Sequence, residues 1–525
     1  MVPIDHFDTA ADLHAGKIAV IDGDVALTYR ELKALTYPAA RRVSALARGG
    51  EPAAVGLYSP NDYRVVAAML GVMRAGGVLV PLHARSAVES NARFLNQVNA
   101  RGVFYHRSLE AEAARLQGSL ASNTQLVAFE EVWGDTTAPT TAGDGHLEDW
   151  IDAGGNLTRP VYFWATSGST GEPKVVVNDC ACFDTTQKVM RPLLARSSNR
   201  EPQVALIVAP LSHMAGPYSF TMLTLGATLV VMRTFDATDV LEAIQRHRVT
   251  DVWIPPTVLY LLLTSPDLKR YDRSSLKNVM LGAAAVSPDK LTEAVAAFGP
   301  CVSQTYGQIE TGMLTYLDGE TVAAAAAGVH PERLTSSGTS IYLSRFAIMA
   351  ERGTLLPPGE VGEVVARGAT VKTYLDSATT TAARRHRWHH TGDLGYLDEE
   401  GFLYIVGRTK DVINTAGFKV PAVEIEQVIM ELPEVYECAV VPAPHAWRGE
   451  VVKAVVTLRP GATSSEEHVV DHCRRRLGRA KTPASVDFWS ALPKSAVGKI
   501  DKLAIRDHFW QPSTATTVVP QQGHS

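Results

Sequence analysis

Apolar and polar positions alternate in two rhythms along the first three quarters of the chain, short continuous apolar runs giving way to helical spacing. Apolar residues over 65–75 predict a helix, while the runs at 77–82 and 204–210 predict strands, the second ending at Leu211-Ser212-His213. This alternation implies a layered α/β domain with ligands gathered at strand ends. Residues 322–328, with five consecutive alanines, fit either a helix or a mobile connector. The run 402–406 reads as the strand closing the large domain, and Lys410-Asp411 marks the expected boundary. Beyond it a helix is expected over 423–431, strands over 437–442 and 451–458, and a basic helix over 469–478, an α+β unit of about a hundred residues. The division expected is a large N-terminal domain, 1–409, a small mobile C-terminal domain, 410–510, and a polar tail, 511–525, expected to be disordered.

Length agrees with that division, since 525 residues exceed one ordinary core. With 46% hydrophobic residues, 20% charged residues and a net charge of -5, the chain offers no broad electrostatic footprint for nucleic acid or an anionic membrane. Any polyanion must be met locally. Cys180, Cys182, Cys301, Cys438 and Cys473 are few, odd in number and scattered, which suits reduced thiols and a cytoplasmic location. Cys180 and Cys182 have no second pair or nearby His, so they read as structural. Residues 1–10 hold no apolar run and no window reaches membrane-spanning length without charge, so neither a signal peptide nor a membrane span is expected.

Candidate chemistry begins at Thr166-Ser167-Gly168-Ser169-Thr170-Gly171-Glu172-Pro173-Lys174, set between apolar runs at 161–165 and 175–177. Strand, polyanion loop, strand is the simplest reading. Gly168 and Gly171 let the backbone curl so that its N–H groups converge on phosphate oxygens; Ser167, Ser169 and Thr170 add hydroxyl donors and Lys174 adds charge. This is not a Walker A loop, because Pro173 separates glycine from lysine and a Val-rich strand follows.

Downstream stand Tyr306-Gly307-Gln308-Ile309-Glu310, Thr391-Gly392-Asp393, Gly407-Arg408-Thr409-Lys410-Asp411, and Pro493-Lys494-Ser495-Ala496-Val497-Gly498-Lys499. With weaker signs at 27–32 and 75–82, their order and spacing resemble the adenylate-forming superfamily of acyl-CoA synthetases, peptide-synthetase adenylation domains and luciferases, over about 27–509. The resemblance implies that Thr166 to Lys174 hold the β- and γ-phosphates of ATP, that Tyr306 and Gly307 meet the adenine, and that Gly282, Ala283 and Ala284 lie along the nucleotide. It implies Glu310 as a ligand of Mg2+, Asp393 as acceptor of the ribose hydroxyls, and Arg408 as donor to ribose or phosphate. His213 matches the mouth of the acyl pocket. Lys499 would bridge the substrate carboxylate and the α-phosphate, Gly417 would serve the thioester-forming half-reaction, and Lys410 would be the hinge between the two arrangements.

Three departures accompany the match. Ile309 stands where the family usually has Thr, Val175 replaces a glycine, and Ala416 sits where some aryl-CoA ligases carry a lysine beside Gly417. The stretch 213–218 has no carboxylate to bind an α-amino group, so an aryl, arylacrylic or fatty acid is the expected substrate and coenzyme A the expected thiol. Rival readings are a ligase loading a carrier protein, an enzyme joining an unusual acid such as nitrite to an amine, and a nucleotide-binding regulatory protein without catalysis.

Overall fold

The helix expected over 65–75 forms as Tyr63–Arg74, and it is buried all round because it lies in a core shared by two sheets. The computed structural model describes residues 2–48, 51–134, 157–166, 174–195, 202–415, 418–445, 449–494 and 500–510. The chain divides into two compact units, one of residues 1–391 with 395–405 and the other of residues 392–394 with 406–525.

In the first unit a nine-stranded sheet has a parallel centre of Val302–Gln308, Asn278–Leu281, Asp251–Ile254, Val204–Ile207 and Thr228–Val231. A seven-stranded sheet has parallel Val78–Leu82, Ala54–Tyr58 and Gly102–Tyr105 beside the antiparallel pair Pro160–Thr166 and Lys174–Asp179. Leu57, Leu79 and Tyr162 from one sheet and Ala205, Ile207 and Leu229 from the other join the core that surrounds Tyr63–Arg74.

Each sheet reverses its winding once. From Val204–Ile207 the chain passes through Ala215–Thr224 to a neighbour on one side, Thr228–Val231, then returns through Ala237–His247 to Asp251–Ile254 on the other. From Ala54–Tyr58 it passes through Tyr63–Arg74 to Val78–Leu82, then through Val88–Gln97 to Gly102–Tyr105 on the opposite side. The loops leaving Val204–Ile207 and Ala54–Tyr58 therefore stand at switch points, where open α/β sheets place ligands.

The strand expected over 204–210 stops at Ile207, three residues early, because a side chain takes over the ladder: Asn61 Nδ2 donates to Ala209 O at 3.0 Å. The alanine run belongs to a helix, Gly319–Ala326, started by Asp318 accepting from Thr321 N at 2.8 Å and anchored by buried Val322 and Ala325. All five cysteines are free; Cys180 and Cys182 sit buried in the first turn of Cys180–Leu194. No helix among the described residues is long and apolar enough to cross a membrane.

The second unit carries Val412–Thr415, Phe418–Pro421, Val435–His445 and Gly449–Leu458 in one sheet, with Ser485–Phe488 added in parallel. Helices Ala422–Ile429 and Glu466–Leu477 supply Ile425, Val469 and Cys473 to its core. The tail 511–525 lies outside the described residues.

Candidate active site

Thr166 ends one strand and Lys174 begins the other of an antiparallel pair, and the two are partners at the same end of it, which fixes the two ends of the candidate phosphate loop. Ser167, Gly168, Ser169, Thr170 and Gly171 lie outside the described residues. The edge strand Thr373–Tyr374 adds to Lys174–Asp179 with Tyr374 opposite Val176. That pairing brings the Tyr374 ring to 5.9 Å from Lys174 Nζ, while its hydroxyl donates to Glu310 Oε1 at 3.1 Å. Lys372 N donates to Glu310 O at 2.8 Å, so Tyr374 and the residue just before its strand tie Lys174 to Glu310. Burial, and then the Glu310 carboxylate, push the Tyr374 phenol well above its ordinary value and keep it a donor.

Lys372 is itself buried, donating to Thr370 O at 3.4 Å; burial lowers its pKa against the opposing pull of Cys182, Glu310 and Asp179. His389, buried 6.5 Å from the Tyr374 ring, is pushed down to about 4 by burial and then by Arg384, so it stays a neutral imidazole at pH 7. The Lys174 cation and the Glu310 carboxylate, both held against Tyr374, suit a polyanion that arrives with a hard cation.

The nucleotide bed expected from Gly282, Ala283, Ala284 and Tyr306 follows the carboxyl ends of adjacent parallel strands. A Cβ at Gly282 would stand 3.0 Å from Trp253 Nε1, so a larger residue there would require the Trp253 ring to shift. Ala283 holds φ at 74°, a left-handed conformation that is costly for a residue with a Cβ, and both Ala283 and Ala284 are exposed. Tyr306 to Glu310 run through the hairpin Val302–Gln308/Gly312–Leu317, whose register shifts between Tyr306 and Gly307. A side chain at Gly307 would collide with the Gly312 carbonyl, so only glycine lets the hairpin close there. The partly buried Tyr306 packs against Ile348, Val364 and Leu403, and Gln308 Nε2 donates to Thr391 O at 3.0 Å. Ile309 packs against the main core of the unit.

His213 lies in the switch-point loop between Val204–Ile207 and Ala215–Thr224. Its ring meets His83 edge-on at 5.2 Å, and its Nδ1 lies 3.2 Å from Ser212 Oγ. In the second unit, Arg408 Nε sits 2.8 Å from Asp393 Oδ1; the carboxylate is buried and the arginine half-exposed. Lys410 occupies the single turn Thr409–Asp411, and Thr409 Oγ1 donates to Gly392 O at 3.2 Å. Gly417 and Lys499 lie outside the described residues. Tyr374, Lys372, His389 and His83 were not among the residues expected from sequence; a Thr-Tyr pair and scattered histidines carry no motif, and only strand pairing collects them.

The family of AMP-binding enzymes matches residues 7–375, and the AMP-binding enzyme C-terminal domain matches residues 424–499. The medium/long-chain-fatty-acid–CoA ligase FadD8 of Mycobacterium tuberculosis is 32% identical, over 95% of this chain and 88% of its own length. Feruloyl-CoA synthase of Amycolatopsis sp is 31% identical, over 94% of this chain and 96% of its own. Among solved structures, the amide bond synthetase McbA from Marinactinospora thermotolerans superposes with a TM-score of 0.85 at 28% identity, covering 97% of this chain and 100% of McbA.

Proposed function

The chain belongs to the AMP-binding enzyme family and is an ATP-dependent, AMP-forming ligase, and from that premise we propose how its own residues carry the two half-reactions. A carboxylate oxygen of the acid attacks the α-phosphorus of ATP, the bond to the β-phosphate oxygen breaks, and pyrophosphate leaves. A thiolate then attacks the acyl carbonyl and AMP departs. Such chemistry asks the protein for positioning and charge rather than for covalent help.

The observation that carries this reading is the link from Lys174 through Tyr374 to Glu310, which sets cation, donor and carboxylate beside the candidate phosphate loop. Thr166 to Lys174 take the β- and γ-phosphates. Gly282, Ala283, Ala284, Tyr306 and Gly307 take the adenosine side, and Asp393 with Arg408 the ribose. One carboxylate with substrate phosphates is an ordinary donor set for Mg2+, so Glu310 fits as its protein ligand; the ion, when bound, neutralises phosphate charge. Lys499 supplies charge during adenylation, Gly417 serves the thioester-forming half-reaction, and His213 serves the acid's entrance.

The acid is aryl, arylacrylic or fatty, a reading supported by the absence of a carboxylate in 213–218 and by fatty-acid and feruloyl ligases among the relatives. Coenzyme A is the proposed acceptor. Likeness to an amide bond synthetase supports an amine as the second reading, and a fatty acid–[acyl-carrier-protein] ligase from Streptomyces coeruleorubidus at 30% identity supports a carrier protein as the third. The purified enzyme, given ATP, one of a panel of benzoic, cinnamic and octanoic acids, and coenzyme A, carrier protein or an amine, should yield acyl-CoA by mass spectrometry. Amide or acyl-carrier formation without acyl-CoA would overturn that choice of acceptor.

Ile309 supplies a smaller test. Thr at this position restores a hydroxyl worth about 0.5 to 1.5 kcal/mol when it finds an acceptor. Ile309→Thr is therefore expected to tighten AMP binding by calorimetry, by at most about tenfold. Because Ile309 packs on the core, the melting temperature should also fall, consistent with a loss of about 1 kcal/mol. Unchanged or weaker AMP binding in the folded variant would mean that Ile309 shapes a pocket the hydroxyl spoils.

A further inference from the structure

We propose that Asn61 is a positioning residue for the half-reactions, holding the loop that carries His213; this rests on the reading of His213 as a residue at the acid's entrance. Asn61 is buried in the switch-point loop after Ala54–Tyr58, and it reaches the switch-point loop of the other sheet. Its Nδ2 donates to Ala209 O at 3.0 Å and to Met232 O at 3.1 Å, and its Oδ1 accepts from Leu211 N at 2.8 Å. These three bonds begin where the backbone ladder between Val204–Ile207 and Thr228–Val231 ends. The amide can face only one way, because a flip would set Oδ1 against two carbonyl oxygens.

Asn61 is firmly seated. Its neighbour Asp62, fully buried, accepts from Arg64 N at 2.9 Å and from Arg233 Nη2 at 3.0 Å, and Asp22 Oδ2 accepts from Tyr63 N at 3.0 Å. From Leu211 the constraint passes along a short, tight path. His213 N donates to Pro210 O at 3.0 Å, Gly216 N donates to His213 O at 2.9 Å, and a Cβ at Gly216 would come within 2.5 Å of Leu211 O. The loop thus has little slack between Asn61 and the start of Ala215–Thr224. His213 meets His83 from that held position, and His83 follows the strand Val78–Leu82 of the other sheet. One amide locks the two switch points together and sets the approach of the two imidazoles.

Asn61→Asp tests this with almost no change in volume, since the second carboxyl oxygen would face the two carbonyls that Nδ2 now serves. Its kcat/KM for the acid should fall by about tenfold to a hundredfold, as a misplacement of about 1 Å can cost. AMP affinity measured by calorimetry should stay within twofold, because Asn61's three bonds go to Ala209, Met232 and Leu211 and not to the residues proposed for the nucleotide. In a double-mutant cycle with His213→Ala, the double variant should be no slower than His213→Ala alone. Multiplying losses would show that Asn61 acts independently of His213 and would overturn the proposal, as would equal losses in AMP affinity and acid kcat/KM. If Asn61→Asp does not fold, Asn61→Ser in the same cycle gives the same two outcomes. A slow His213→Ala beside a wild-type Asn61 variant overturns the positioning role alone, whereas a wild-type His213→Ala removes the reading beneath it as well.

Discussion

Lys499→Ala is expected to slow acid-dependent pyrophosphate release by two to three orders of magnitude, the loss of about 3 to 4 kcal/mol seen when a preorganised charge donor is removed from a transition state. Lys499 would meet the charge that develops as the carboxylate approaches phosphorus, and no other half-reaction needs it there. Thioester formation from a supplied acyl-adenylate should therefore persist at near the parent rate. Stopped-flow pyrophosphate detection beside a coupled thioester assay separates the two steps. Release within a few-fold of the parent would remove this lysine from the mechanism.

Lys410→Pro should split the same two steps in the opposite sense. Lys410 sits in the lone turn Thr409–Asp411, between the strand Leu403–Arg408 and the strand Val412–Thr415. Proline there fixes φ near -65° and removes an N–H, so a hinge at Lys410, which would have to change φ and ψ, would be held in one arrangement. Pyrophosphate release in a single turnover should survive while acyl transfer falls by about a hundredfold or more, as expected when a gating motion is lost. Equal loss of both steps in a folded variant, or no loss of either, would contradict a hinge at this residue.

How much of this was legible beforehand depended on where the information lies. Tyr63–Arg74 was legible because a helix in a core between two sheets is apolar on every side. The helix Ala422–Ile429 and the strands Val435–His445 and Gly449–Leu458 were legible from period and length. The end of Val204–Ile207 was not, since the group that ends it, Asn61, lies 148 residues earlier in the chain. Tyr374 was illegible for a similar reason. A two-residue strand has no period to read, and its meaning comes from pairing with Lys174–Asp179 and reaching Glu310. Glu310 and Gly307 could be found by motif, but the reason for Gly307, a carbonyl across a hairpin, is a fact of register.

The most direct test of the central claim omits the acceptor altogether. Enzyme in micromolar amount, mixed with ATP, Mg2+ and one acid from the panel, should produce acyl-AMP and pyrophosphate in equal amounts, both detected in the quenched mixture by mass spectrometry and both absent without the acid. ADP with phosphate in their place, or nucleotide turnover indifferent to the acid, would contradict the assignment of this chain as an enzyme that activates carboxylic acids by adenylation.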